Sequence, residues 1–407
     1  MGAETRPRLL PTRYDGDMKI SASIFLYVVT LASLVIMESP GASMSGKSKG
    51  TYLVYVGTYT IRGSQGIYAY RFDDRNGQSV PLGLVAKTTS PSFLDVDPSR
   101  RFLYAVNEVS DFQGRKTGAV SAFAIDRTTG KLKDLNQVSS LGAGPCFVSL
   151  DKTGKHVLIA NYDSGSVAVF PVLDDGSLGK ATAFVQHHGS GVNHERQEGP
   201  HAHAIEVSPD NRFALAADLG LDKLLVYRFD AAKGSLAAND PDSARVSGGL
   251  GPRHFVFHPS GKFVYLANEM GSAVTGFSYD ASRGALGEIE TLSTLPKGFA
   301  GSNDDAEIAV APSGKFLYAS NRGHDSIAVF SIDIRSGKLS PIQDVPTEGK
   351  TPRNFAIVPS GSYLFAANQD SDTIVIFRID PSNGRLAATG QVLHVGSPVS
   401  VTFVPAD

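Results

Sequence analysis

Cysteine is almost absent. The single Cys146 among 407 residues excludes an internal disulfide framework and a cysteine-rich zinc site. Tryptophan is absent altogether. No charge of one sign dominates: 38 Lys and Arg stand against 40 Asp and Glu, so nothing marks the surface for nucleic acid. The 42 glycines punctuate turns, and none sits in the strand–loop–helix arrangement that cradles a phosphate, so no cofactor is expected. After residue 50 no long segment has the helical period, which argues against an α-helical or α/β fold.

Long apolar runs are lacking too, with one exception. ISASIFLYVVTLASLVIM, residues 20–37, follows Met18-Lys19 and precedes ESPGASMSG. A basic start, an apolar stretch and small residues read as an export signal, with Met18 the expected start and residues 1–17 upstream of it. The expected location is therefore exported, in the periplasm. The run is close to the ~18 residues at which a spanning helix begins, so an uncleaved membrane anchor is one alternative and a cytoplasmic protein the other. No cysteine near the run offers a lipid attachment site. Residues 1–50 are read as this extension and 51–407 as one domain.

That domain repeats. PSFLDVDPSRRFLYAVNE begins at Pro91, PCFVSLDKTGKHVLIANY at Pro145 and PHAHAIEVSPDNRFALAADL at Pro200. PRHFVFHPSGKFVYLANE begins at Pro252, DDAEIAVAPSGKFLYASNR at Asp304 and PRNFAIVPSGSYLFAANQ at Pro352. The spacing of about 46–55 residues suits a propeller blade. Each unit runs from a short strand through a Pro-Ser-Gly type turn to a second strand, then a third, then a Gly-Lys-Leu turn and a polar fourth. Six units are complete. TYLVYVGTYT, GIYAYRFD and PLGLVAKTT supply only three strands, and PVSVTFV from Pro398 is a lone first-type strand. Together they make a seventh blade, so the expected fold is all-β: a seven-bladed β-propeller of four-stranded blades, with blade one closed by the C-terminal strand. Closure removes the open edges that would pair with other chains.

The repeat also serves as a ruler. Six residues before each turn proline, or its equivalent, stand Ser92, Cys146, His203, Arg253, Ala306, Arg353 and Val399. Directly after the Ala-Asn that ends the second strand stand Glu108, Tyr162, Leu219, Glu269, Arg322 and Gln369. Both slots border the central channel on one face, so His203, Arg253, Arg353, Glu108, Glu269 and Arg322 are brought to one mouth. His201, two residues before His203, shares its side of the strand. The long connection QHHGSGVNHERQEG, residues 186–199, adds Arg196 beside His187, His188 and His194, the three histidines being read as solvated loop residues. Cys146 is read as a small buried hydrophobe in preference to a nucleophile. The recurring Asn107, Asn161, Asn268, Asn321 and Asn368 are read as structural, satisfying backbone groups. A metal is not expected, because the arginines at the mouth repel a cation and no ligand spacing recurs on one element.

YVGTYT, GSGVNHERQEGPHAH, GPRHFVFHPSGKFVYLANE and SNRGHDSIAVF resemble the seven-bladed bacterial lactonase family, which includes 6-phosphogluconolactonase and the fungal carboxymuconate cyclases. The resemblance spans about residues 52–405. It implies a metal-independent site built on His201 or His203, Arg253, Glu269 and Arg322. His194 stands where the family usually has proline, and an export signal is unusual for an enzyme of a cytoplasmic sugar-phosphate pathway. The expectation is a lactonase acting on a small sugar lactone, 6-phosphogluconolactone first. Glu269 or His203 would take a proton from water, with His201 beside them, and Arg253 would stabilise the oxyanion. Arg322 and Arg353 would hold a carboxylate or phosphate, and Glu108 and Arg196 complete the substrate-binding set. The alternatives are a cycloisomerase using the same residues in the reverse sense and an exported, non-enzymatic binding scaffold. The oligomeric state is left open.

Overall fold

The computed structural model describes residues 50–406, so the run at 20–37 and the export reading that rests on it lie outside the described residues. The described residues form seven four-stranded antiparallel sheets, whose strands are numbered β1 to β28 in chain order. Six sheets take consecutive strands. The seventh joins β1 (Thr51–Thr58), β2 (Gly66–Asp73) and β3 (Gln78–Lys87) to β28 (Pro398–Pro405). β28 pairs antiparallel with β1 from Tyr52↔Pro405 to Val56↔Val401, so the C-terminal strand closes blade one as the repeat count requires. Among the described residues, helix is limited to two short 3₁₀ turns, and no helix is long and apolar enough to cross a membrane.

Burial explains the strand composition. The second strand of blade five, FVYLAN from Phe263 to Asn268, is buried at every residue because neighbouring blades pack on both faces. The fourth strand of that blade, Ala285–Ser293, has no buried residue and lies on the outer edge. Tyrosines link successive blades. The hydroxyls of Tyr104, Tyr265 and Tyr318 donate to the carbonyls of Gly176, Gly337 and Gly384, each in the next blade, at 2.8–2.9 Å. The recurring asparagines are buried, and four of them donate from Nδ2 to a carbonyl in the connection from the preceding blade: Asn107 to Thr89, Asn161 to Ser140, Asn321 to Thr294 and Asn368 to Thr347. Asn268 turns instead to Ala273 in its own blade.

The closing strand has a measurable consequence. Val399, Val401 and Val404 of β28 are buried, and full burial of a valine is worth roughly 1.5–3 kcal/mol. Removing residues 398–407 is expected to cost more than about 5 kcal/mol, comparable with the total stability of many domains, and to expose the edge of β1. A truncated chain that still melts cooperatively at the full-length temperature would overturn this.

The innermost strands are β4 (Leu94–Val96), β8 (Pro145–Leu150), β12 (Ala202–Val207), β16 (Pro252–Phe257), β20 (Asp304–Val310), β24 (Pro352–Ile357) and β28. They pack side by side in a closed ring around the axis. Six of them slip register near their start. The slips span Pro145 to Phe147, Ala202 to Ala204, Pro252 to Phe255, Asp305 to Ile308, Pro352 to Asn354 and Pro398 to Ser400. The residues skipped are Cys146, His203, Arg253 with His254, Ala306 with Glu307, Arg353 and Val399. A β-bulge frees a residue from pairing and re-aims its side chain, so the bulges turn these slots toward the axis.

Candidate active site

Glu269, directly after the second strand of blade five, is the hub. Its side chain is 7% exposed and lies among three guanidinium groups. Arg253 Nε donates to Oε2 at 3.0 Å, Arg196 Nη2 donates to Oε1 at 2.6 Å, and Arg322 Nη2 stands 3.1 Å from Oε2. His203 Nε2 is 3.8 Å from Oε2. Burial alone would raise the Glu269 carboxyl, but Arg322 and Arg253 outweigh it and hold the group far below the usual carboxylate range. The cage therefore favours the carboxylate form of Glu269. A carboxylate so strongly held is a poor proton acceptor, which moves the base away from one of the two expected residues.

The arginines are positioned from different blades. Arg253 is almost fully buried, and its Nη1 donates to the Ala306 carbonyl at 2.7 Å. Burial, then Arg322 and Arg353, lower its pKa to about 10, which leaves it cationic at neutral pH. Its Nη2 has no hydrogen-bond partner among the described residues. Arg322 also donates to the Asp305 carbonyl at 3.1 Å. Arg196 comes from the long loop, which is anchored by the buried Gln197: Nε2 donates to the Leu219 carbonyl at 2.8 Å and Oε1 accepts from the Asn193 backbone at 3.0 Å.

The two histidines of HAH differ. His203 is buried, 3.7 Å by Nδ1 from Cys146 Sγ, and is held well below its ordinary pKa by burial, then by Arg253 and His254. It stays neutral. His201 is 13% exposed, and its Nδ1 lies 3.1 Å from the Tyr162 carbonyl. A carbonyl only accepts, so Nδ1 carries a proton and the neutral ring has its lone pair on Nε2, 3.4 Å from the exposed Glu198 carboxylate. The ring stacks on Tyr162 at 4.6 Å between centroids. Its backbone N–H donates to Asp218 Oδ1 at 2.8 Å. Gly220 lies against this segment: a Cβ there would run into the Gly199 carbonyl oxygen, so the approach requires glycine.

Across the mouth, Tyr59 donates to both oxygens of Glu108 at 2.9 and 3.0 Å, and the Arg353 guanidinium lies 5.5 Å from the Tyr59 ring centroid. Arg353 makes no ion pair within 4.0 Å and no side-chain hydrogen bond among the described residues. Four guanidinium charges (Arg196, Arg253, Arg322, Arg353) thus meet two carboxylates (Glu108, Glu269). The site is set up for an anion, either on the ligand or developing during reaction.

The remaining sequence expectations sort as follows. Cys146 is buried and its thiol is pushed well above its ordinary pKa by burial, then by Glu108, so it is no ready nucleophile. His188 and His194 are exposed, as loop residues should be. His187 is not: it is buried, with Nδ1 2.6 Å from Asp218 Oδ2 and Nε2 2.9 Å from the Tyr227 hydroxyl. It folds inward because Asp218 stands in the slot that holds asparagine in other blades, and a carboxylate there needs a partner. Among the described residues, no group of three or more His, Cys, Asp or Glu is placed to hold a metal. Three residues of the site were not singled out. Tyr59 was legible, since it follows the second-type strand of blade one in the slot that gives Glu108 in blade two. His254 and Glu307 were not, because strand alternation points them away from the slots beside them.

The described residues thus form a closed seven-bladed propeller with a caged carboxylate and histidines at one channel mouth. The model of the lactonase family with a seven-bladed β-propeller matches residues 53–403, and the chain belongs to that family and is a lactone hydrolase. The 6-phosphogluconolactonase of Bacillus subtilis is 39% identical over 304 residues, covering 75% of this chain and 84% of that protein. A 6-phosphogluconolactonase of Formosa agariphila is 36% identical over 306 residues, with 74% and 85% covered. Among solved structures, the periplasmic gluconolactonase of Pseudomonas aeruginosa superposes with a TM-score of 0.83 at 37% identity, covering 88% of this chain and 100% of that one.

Proposed function

We propose that the chain opens a six-membered sugar lactone, 6-phosphogluconolactone first, by direct attack of water, with His201 as base. The observation that carries this is the division of labour at the mouth: Glu269 is spent on three arginines, whereas His201 Nε2 is accessible, with Nδ1 turned to the Tyr162 carbonyl. His201 Nε2 takes a proton as water oxygen bonds to the lactone carbonyl carbon. The negative charge that develops on the carbonyl oxygen meets Arg253 Nη2 and Arg322. The bond from that carbon to the ring oxygen then breaks, and His201 returns the proton to the departing oxygen, leaving a hydroxy acid. Glu269 keeps the arginines aligned, and His203 supports Glu269 from below.

Arg353 is the cation left for a substrate anion. Replacing it by methionine is expected to raise KM for 6-phosphogluconolactone about 10- to 100-fold, the scale of one charge-assisted contact, and to leave δ-gluconolactone within about twofold. Equal losses on both substrates would remove Arg353 from phosphate binding. A second reading, an exported enzyme acting on the unphosphorylated lactone, is supported by the run at 20–37 and by likeness to a periplasmic gluconolactonase. Purified residues 45–407 are to be incubated with both lactones, with and without chelator, and acid release compared with the spontaneous rate. Acceleration that survives chelation supports the proposal, and substrate preference decides between the two readings. No acceleration of either would shift the assignment to a cycloisomerase or a binding scaffold.

A further inference from the structure

Behind Arg253, further along the innermost strands, the axis holds a cavity of about 300 Å³ whose lining includes Asp95, Lys152, Glu206, His254, Phe147 and Glu307. His254 and Glu307 are the second residues of their bulges and are buried beside the site residues. His254 Nδ1 lies 3.3 Å from Arg253 Nη1 and 3.2 Å from each oxygen of Glu307. Glu307 in turn accepts from Asn354 Nδ2 at 2.5 Å and from the Ile308 backbone at 3.0 Å.

The proton positions follow from what each group is able to do. A guanidinium only donates, so the 3.3 Å approach of Arg253 Nη1 is a hydrogen bond where Nδ1 carries the lone pair. The imidazole proton then sits on Nε2, which has no hydrogen-bond partner. The His254 ring meets Phe147 and Phe93 at steep angles, 5.0 and 5.3 Å between centroids, so it sits among aromatic side chains. A lone pair on Nδ1 cannot face an ionised carboxylate favourably. Both Glu307 oxygens lie 3.2 Å from it, so one of them has to carry hydrogen and share the lone pair with Arg253.

We propose that Glu307 is a positioning residue that works as a neutral carboxylic acid, donating its O–H to His254 Nδ1 so that the imidazole holds Arg253 in the orientation the reaction uses. This rests on the lactonase reading of the site. The surroundings favour the neutral acid. Burial raises the Glu307 carboxyl to about 7, against the opposing pull of Arg253 and the bonds from Ile308 and Asn354. The charged and titratable groups around it are Arg253 and His254 on β16, Glu206 on β12, Asp95 on β4, Lys152 after β8 and Arg353 on β24. Burial lifts Glu206 to about 7 and Asp95 to about 6, so the axis carries little negative charge in mild acid. A folded-state pKa above the ordinary value means that the competent, protonated form dominates below it and is lost as pH rises through about 7.

Glu307→Gln retains a donor toward Nδ1 and cannot ionise; Glu307→Met has neither property. At pH 6 Glu307→Gln is expected to keep kcat within about threefold, and Glu307→Met to lose about tenfold or more with KM little changed, the effect of a misplaced catalytic group. The fall in wild-type kcat as pH rises through about 7 should vanish in Glu307→Gln. Infrared difference spectra between mild acid and mild base, recorded without substrate, should show a protonated carboxyl in the wild type that Glu307→Gln lacks. A pH limb unchanged in Glu307→Gln, a Gln variant as slow as Met at pH 6, or spectra identical in wild type and Glu307→Gln would each overturn the proposal. The spectroscopic arm stands even if neither lactone is hydrolysed, which separates failure of this inference from failure of the lactonase assignment.

Discussion

Replacement of Glu269 by glutamine is expected to lower both activity and stability, and by more than any other single change at the mouth. The carboxylate is the common partner of Arg253, Arg322 and Arg196. Glutamine keeps the shape and removes the charge. Arg253 is then a buried cation without its counter-ion, beside Arg322. Breaking a buried ion pair by removing one partner costs about 3–5 kcal/mol. Arg196 adds little to that, since its side chain is 39% exposed and water screens it. The guanidinium groups would also lose their alignment toward the oxyanion, a loss of about 10²–10³ in kcat. Steady-state kinetics and thermal melting of the variant are the measurements. A Glu269→Gln enzyme of near wild-type turnover and melting temperature would show that the cage is dispensable.

His201→Ala should separate the two effects. Loss of a general base costs about 10²–10⁴ in rate. Stability should hardly change, because the side chain only stacks on Tyr162, bonds its carbonyl and reaches the exposed Glu198 at 3.4 Å. The expected result is a folded protein with the wild-type melting temperature, full affinity for a product-like hydroxy acid and little turnover. Added imidazole should restore part of the rate. Retention of more than a tenth of wild-type kcat would return the base role to His203 or to a water held by other groups.

These two predictions differ from what residue types alone suggest. Glu269 and His203 look like bases in the sequence because carboxylates and imidazoles usually are. Both are at the mouth, but Glu269 is neutralised in reactivity by cations that come from residues 196, 253 and 322, and His203 is closed in by Cys146 and Glu269. In the proposed mechanism His201 is the accessible base, its Nδ1 held by one backbone carbonyl, that of Tyr162, in the preceding blade.

The repeat itself was fully legible. Blade number, strand order and closure by β28 follow from local signals: alternation, turn residues and an orphan strand at the C-terminus, each contained within a few residues of chain. The ruler also brought Arg253, Glu269, His203, Arg322, Glu108 and Arg353 to one mouth, because equivalent slots in a closed ring must lie at equivalent heights. Tertiary structure decided the rest. Bulges in the inner strands break the two-residue alternation, so His254 and Glu307 turn into the axis where the pattern would send them elsewhere. Asp218 in an asparagine slot draws His187 inside. Ionisation states were decided by burial and by neighbours gathered from several blades, because proton affinity depends on burial and on the nearest charges in space, and neither is written in the order of residues along the chain.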